Sequence, residues 1–159
     1  MRKASKGFSL IELLIGLAIL GILAGLASLS LHRYNMNRNL QTAARDIASD
    51  FAICRQRTVA EMRRYRIVFT VDPYNASSYT IQRGTATGEP YVTIATKSPA
   101  AFGPDIRIYD ANFGGNTSSN FYSRGTVEPG SVKLRNSRGS TAVVTVNWAG
   151  KTYVETEMH

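Results

Sequence analysis

GFSLIELLIGLAILG, residues 7–21, is the stretch on which the reading of the whole chain turns. It is apolar at nearly every position, yet Glu12 lies inside it. From Phe8 to Leu31, Glu12 is the only charged residue in 24 positions. Such a run meets the ~20 residues needed to cross a bilayer. Arg2, Lys3 and Lys6 precede it. The positive-inside bias then places the N-terminus in the cytoplasm and the rest of the chain outside. A carboxylate within the run costs about 2.5–3.5 kcal/mol on insertion scales. A secretory signal cleaved after Gly25-Leu26-Ala27 has no use for that carboxylate, and neither has a plain anchor. Any account of the segment has to supply Glu12 with a partner.

Working outward, no proline occurs before Pro73, so nothing stops a helix from running on past the apolar run. Beyond Leu31, Leu40, Ala44, Ile47, Phe51, Cys54, Thr58 and Met62 recur at spacings of three and four. That is the signature of a helix with one apolar face. Arg33, Arg38, Arg45, Arg55 and Arg57 fall mostly off the stripe, and Cys54 reads as a small core hydrophobe on it. The spacing predicts one helix from Phe8 to about Arg64.

After Arg64 the pattern becomes short and alternating. Strands are predicted at 66–71, 78–82, 91–96, 106–109, 131–135, 142–147 and 152–155. Turns are predicted at 72–75, at Arg138-Gly139 and at Ala149-Gly150. DANFGGNTSSN, residues 110–120, reads as an exposed loop. The expected fold class is α+β: a long N-terminal helix, membrane-spanning in its first half, packed on a small antiparallel β-sheet domain. The expected segments are a leader at 1–7, a spanning helix at 8–31, its amphipathic continuation at 32–64 and a β domain at 65–159.

The composition supports a packed domain, with 43% hydrophobic residues in 159. The net charge of +8 is local: +3 in residues 1–7, +5 in 32–66 and +4 in 124–151. One cysteine allows no intramolecular disulfide. The two histidines, His32 and His159, offer no metal-ligand spacing. There is no glycine-rich phosphate loop and no serine in a nucleophile elbow. Asp105 and Asp110 flank a short strand, too weak a pattern to mark a cation site, and Asn75-Ala76-Ser77 matches a glycosylation sequon only by composition. The chain reads as a non-enzyme with no cofactor and no metal.

Lys6-Gly7-Phe8-Ser9-Leu10-Ile11-Glu12-Leu13 closely resembles the signature of type IV pilins and pseudopilins. The resemblance implies that prepilin peptidase cuts after Gly7 on the cytoplasmic side. Phe8 then becomes an N-methylated terminus and the apolar run is retained. It further implies that Glu12 neutralises the terminal amine of a neighbouring subunit. A buried carboxylate is tolerable when a buried cation meets it. Loss of the leader would bring the net charge to +5. Downstream, Phe121-Tyr122-Ser123-Arg124-Gly125-Thr126 is followed by Ser131–Leu134, Val144–Asn147 and Gly150-Lys151-Thr152-Tyr153. This order resembles the GspH/FimT subgroup of minor pilins and pseudopilins.

That subgroup implies a structural role in a type II secretion pseudopilus or a type IV pilus. It would sit in the bacterial inner membrane, with its β domain periplasmic and other pilin subunits as partners. The alternative implied by FimT-like members is capture of double-stranded DNA through a basic C-terminal region. Where those members carry Gly-Arg-x-Arg, this chain has Gly150-Lys151-Thr152-Tyr153. The candidate DNA-binding residues are Arg124, Lys133, Arg135, Arg138 and Lys151. Lys133 and Arg135 alternate on one strand and so share a face. The competing reading of these residues is a solvated basic face, or one that meets an acidic neighbour in an assembly.

Overall fold

A computed structural model describes residues 9–72, 74 and 77–159, with backbone only at 26–32. Gly7, Phe8, the basic leader, half of the 72–75 turn and most of the sequon lie outside the described residues. The chain divides into two units, Met1–Asn35 and Met36–His159.

The sequence expectation of one uninterrupted helix holds. Helix α1 runs Leu10–Glu61 over 52 residues. It ends three residues before Arg64, because Met62 adopts a left-handed φ of 53°. A left-handed residue just past the last turn is a common helix stop, normally given to glycine or asparagine. Met62 is consequently 63% exposed and does not belong to the buried stripe in which the spacing placed it. The other stripe residues, Leu40 to Thr58, are all buried, and Ala43 joins them. The five arginines predicted to lie off the stripe are exposed.

Among the described residues of the second unit, eight strands form two four-stranded antiparallel sheets. The first has the order β3-β2-β1-β5, with β1 at Tyr65–Thr70, β2 at Ser78–Arg83, β3 at Val92–Lys97 and β5 at Ser118–Phe121. The second has the order β4-β6-β7-β8, with β4 at Arg107–Asn112, β6 at Gly130–Arg135, β7 at Thr141–Val146 and β8 at Thr152–Glu157. Strict alternation explains the inward faces: Tyr65, Ile67 and Phe69 on β1, Val132 and Leu134 on β6, Ala142, Val144 and Val146 on β7. These residues and the α1 stripe form one buried cluster. The Ile108 N–H donates to Ser77 Oγ at 2.6 Å, stitching the second sheet to the approach to β2.

The expectation of an exposed loop over 110–120 is corrected. Its first residues end β4 and its last begin β5. Phe113 between them is fully buried. Gly114 and Gly115 make the tight reversal there, both with left-handed φ. The loop composition was real, but it covers only a five-residue turn.

A polar network fastens α1 to the first sheet. The Lys97 ammonium on β3 donates to Asp46 at 3.1 Å and to Asp50 at 2.9 Å. The Tyr79 hydroxyl on β2 donates to Asp50 at 2.7 Å and to Asp46 at 3.1 Å. Asp50 is buried, so its charge requires these partners. Burial alone would lower the Lys97 pKa, but the hydrogen bonds to Asp50 and Asp46 outweigh it and hold it above the ordinary 10.5. Burial, then the Asp50 hydrogen bond, raises the Tyr79 phenol well above 10.0. Burial, aided by the Asp50 charge, pushes the nearby Cys54 thiol from 9.0 up to about 12, so that it stays an unreactive thiol at neutral pH.

All three groups hold their protons more tightly folded than unfolded. Their contribution is therefore complete below about pH 9 and is lost as pH rises past the unfolded values of 9.0, 10.0 and 10.5. Each retained proton costs about 1.4 kcal/mol per pH unit beyond that point. Thermal unfolding of the full chain in an uncharged detergent is expected to show a falling midpoint from pH 9 to 11. Cys54→Ala should delay the onset of that fall, and a flat profile to pH 11 would contradict the assignment.

Candidate functional site

From Leu10 to Leu23 the first unit is helical, with no distinct apolar and polar faces. Ten large apolar side chains between Leu10 and Leu23 are each at least 53% exposed. They surround the helix on all sides. A helix apolar all round has to be covered, either by lipid or by other helices. Among the described residues, no helix is long and apolar enough to cross a membrane. The span expected over 8–31 includes Phe8 and the side chains of 26–31, which lie outside them.

Glu12 stands in the first turns of this segment and is exposed. The Ser9 carbonyl accepts from the Glu12 and Leu13 N–H groups at 3.1 and 3.2 Å, which starts the helix there. Among the described residues, nothing pairs with the Glu12 carboxylate. A negative side chain in the first turn of a helix is favourable with the macrodipole, but only by about 0.3–1 kcal/mol. That is too little to offset its place in an apolar run. Gly21 and Gly25, one turn apart, leave open space where a Cβ would project. A neighbouring helix could approach closely there.

The five basic candidates do not come together. Arg124 lies in the β5–β6 connection and Lys151 in the β7–β8 turn, both beside the Val146 end of β7. Arg135 ends β6, and Arg138 lies in the β6–β7 turn at the Thr141 end. Six strand residues at ~3.4 Å each separate the two ends. Lys133 sits between them and is engaged. A bulge at Tyr109 shifts the register so that Asp110 faces Lys133, and the two pair at 2.9 Å. That hydrogen bond with Asp110 holds the Lys133 ammonium above its ordinary pKa. Lys133 and Arg135 do point outward on either side of buried Leu134, as their alternation predicts. Arg135 lies over the Tyr109 ring, 5.5 Å from its centroid. Lys151 lies over Tyr153 at 5.0 Å. Arg138 keeps its Nε buried without a hydrogen-bond partner.

Asp105 accepts from the Ser137 N–H and hydroxyl at 3.2 and 3.1 Å, and Asp110 belongs to Lys133, so the two do not meet at a cation. Among the described residues, no cluster of His, Cys, Asp or Glu could hold a metal. Sequence reasoning passed over the Asp46–Asp50–Tyr79–Lys97 network. Its one visible signal was a pair of aspartates four apart, beside the apolar stripe.

Comparison with known proteins agrees with this geometry. Residues 2–28 match the prokaryotic N-terminal methylation motif. Over 77 residues the chain is 32% identical to type II secretion system protein H of Pseudomonas aeruginosa. That alignment covers 48% of this chain and 45% of the relative, so the chain spans less than half of that protein's length. Two solved structures share the fold. One is the minor pseudopilin EpsH from the type 2 secretion system of Vibrio cholerae, with TM-score 0.56, 9% identity and coverage of 74% of this chain and 96% of that one. The other is the type IV minor pilin FimU of Pseudomonas aeruginosa, with TM-score 0.55, 15% identity and coverage of 77% and 92%. The chain thus carries the prokaryotic N-terminal methylation motif at residues 2–28, and its helix-on-sheets fold is that of these two solved structures.

Proposed function

We propose that the chain is a structural minor subunit of a type II secretion pseudopilus or a type IV pilus. Prepilin peptidase removes residues 1–7, Phe8 becomes the methylated terminus, and residues 8–31 hold the chain in the bacterial inner membrane until it assembles. The observation that carries this reading is an all-round apolar helix with a single carboxylate, at Glu12, inside the methylation motif. The proposed partner of Glu12 is the terminal amine of a neighbouring subunit. That cation reaches the apolar layer only after cleavage at Gly7. The second unit has a buried core of its own, which fits a structural part.

The alternative, capture of double-stranded DNA, has less support. It needs Arg124, Lys133, Arg135, Arg138 and Lys151 to act as one surface, whereas the fold divides them between two ends of a sheet and commits Lys133 to Asp110.

Processing is tested by the mass of the chain isolated from bacterial membranes together with its peptidase. The expected product begins at methylated Phe8. Gly7→Val is expected to retain the leader completely, because a branched side chain replaces the one residue the cut requires. A product of unchanged mass in that variant would overturn the processing step.

A further inference from the structure

A cleft of about 490 Å³ opens where α1 gives way to β1, lined by Arg64, Tyr122, Ser123, Arg124 and Thr126. Its parts are fixed from three directions. The Arg64 backbone is clamped, its N–H donating to the Thr85 carbonyl at 2.9 Å and its carbonyl accepting from Gly84 at 2.8 Å. Arg124 rides a tight turn, in which the Gly125 N–H donates to the Tyr122 carbonyl at 2.7 Å and Tyr122 donates to the Thr126 carbonyl at 3.0 Å. Gly125 closes that turn with a φ of +84°, which glycine adopts without strain. The turn is tied to the helix by Arg55, whose Nε donates to the Gly125 carbonyl at 3.2 Å and adds a third cation behind it.

Among the described residues neither Arg64 nor Arg124 is ion-paired, while the nearby Glu89 is engaged by Arg66 at 3.3 Å. Arg64 lies over the Tyr122 ring, 5.1 Å from its centroid, which limits the directions its guanidinium takes. Two guanidinium forks and the hydroxyls of Ser123 and Thr126 present more donors than the two oxygens of a carboxylate can satisfy. They match the acceptors of a tetrahedral phosphate. The volume also exceeds what a bare phosphate fills and falls within the range of small-ligand sites.

We propose that the Arg64–Arg124 cleft binds a phosphate ester, with its phosphate between the two guanidinium groups and its organic part along Tyr122. This role is separate from filament assembly and does not depend on it. The ester could be a soluble metabolite or a lipid headgroup, since both present the same chemistry.

The test uses the full chain in an uncharged detergent, titrated with glycerol 3-phosphate by calorimetry. Arg64→Gln and Arg124→Gln are each expected to weaken binding about tenfold or more, at the scale of one charge-assisted hydrogen bond. Arg135→Gln/Arg138→Gln, at the far end of the second sheet, should leave it unchanged. Tyr122→Leu should keep inorganic phosphate binding and lose the preference for the ester. Added binding to phosphatidylglycerol vesicles over phosphatidylcholine vesicles would name the lipid source. Binding to glycerol 3-phosphate alone would name a soluble one, and either result sustains the proposal. No binding by chain that is folded by circular dichroism, or an equal loss in the far-end variant, would overturn it. So would binding to a single-stranded oligonucleotide without binding to glycerol 3-phosphate, which would assign the cleft to a polymer track.

Discussion

Glu12→Val is expected to leave the chain in the membrane fraction and to remove it from the assembled fraction. The two effects have opposite signs for a physical reason. Removing the carboxylate makes residues 8–31 easier to insert, by about 2.5–3.5 kcal/mol on translocon scales. It also takes away the only anion in the run that can meet a neighbouring terminal amine. Leaving a buried cation without its partner costs about 3–5 kcal/mol, which lowers incorporation by about 10²- to 5 × 10³-fold. Glu12→Gln keeps the shape and hydrogen-bonding capacity but not the charge, so it should fall with the valine variant. Glu12→Asp keeps the charge one methylene short and should retain part of the wild-type level. The measurement is the ratio of tagged chain in sheared or cross-linked filaments to chain in membranes. A valine variant that assembles at the wild-type ratio would sink the amine-pairing account, and a glutamine variant that does so would reduce Glu12 to a hydrogen-bonding residue.

What the sequence discloses depends on whether the signal is local. The helix was legible almost to its end, because periodicity and the lack of proline act residue by residue. Its last three residues were not, since the stop is a left-handed methionine that no propensity marks. Seven of the eight strands were legible from alternation to within about three residues, the largest miss being the end of β4 at Asn112. Strand β5, SSNF, was not, because its register is set by pairing with β1 while its composition is that of a loop. The division into two sheets is invisible to alternation, which reports a face but not a neighbour. The same limit governs the sites. Glu12 announced itself as one charge in an apolar run. The basic candidates were grouped by nearness in sequence, yet antiparallel strands send Arg138 and Lys151 to opposite ends of β7. The pairing of Arg64 with Arg124 joins positions sixty residues apart, and only the fold brings them to one cleft.

Phe51→Ala is expected to cost about 3–5 kcal/mol of folding stability, the upper range for a large-to-small core change. Phe51 is the helix residue at which the aromatic core converges. Its ring lies 6.2 Å from Phe69 on β1, 5.9 Å from Phe113 and 5.7 Å from Phe121 on β5. Phe69 in turn meets Phe113 at 5.6 Å and Tyr79 at 5.6 Å. Truncation therefore leaves a void walled by rings on separate strands, which cannot collapse together without breaking strand pairing. Set against a total stability of about 5–15 kcal/mol for a typical domain, the loss is a large fraction of the whole. Phe51→Leu refills most of the volume and should cost only about 1–2 kcal/mol. Phe113→Ala supplies the contrast. If Phe113 were a surface residue in a glycine-rich loop, its removal would cost under about 0.5 kcal/mol. Fully buried against Phe51 and Phe69, it is expected to match Phe51→Ala within about 1 kcal/mol. Denaturant unfolding of the three variants, followed by tyrosine and tryptophan fluorescence, reads the series directly. Near-neutral Phe113→Ala together with costly Phe51→Ala would mean that the turn between β4 and β5 does not close over the core.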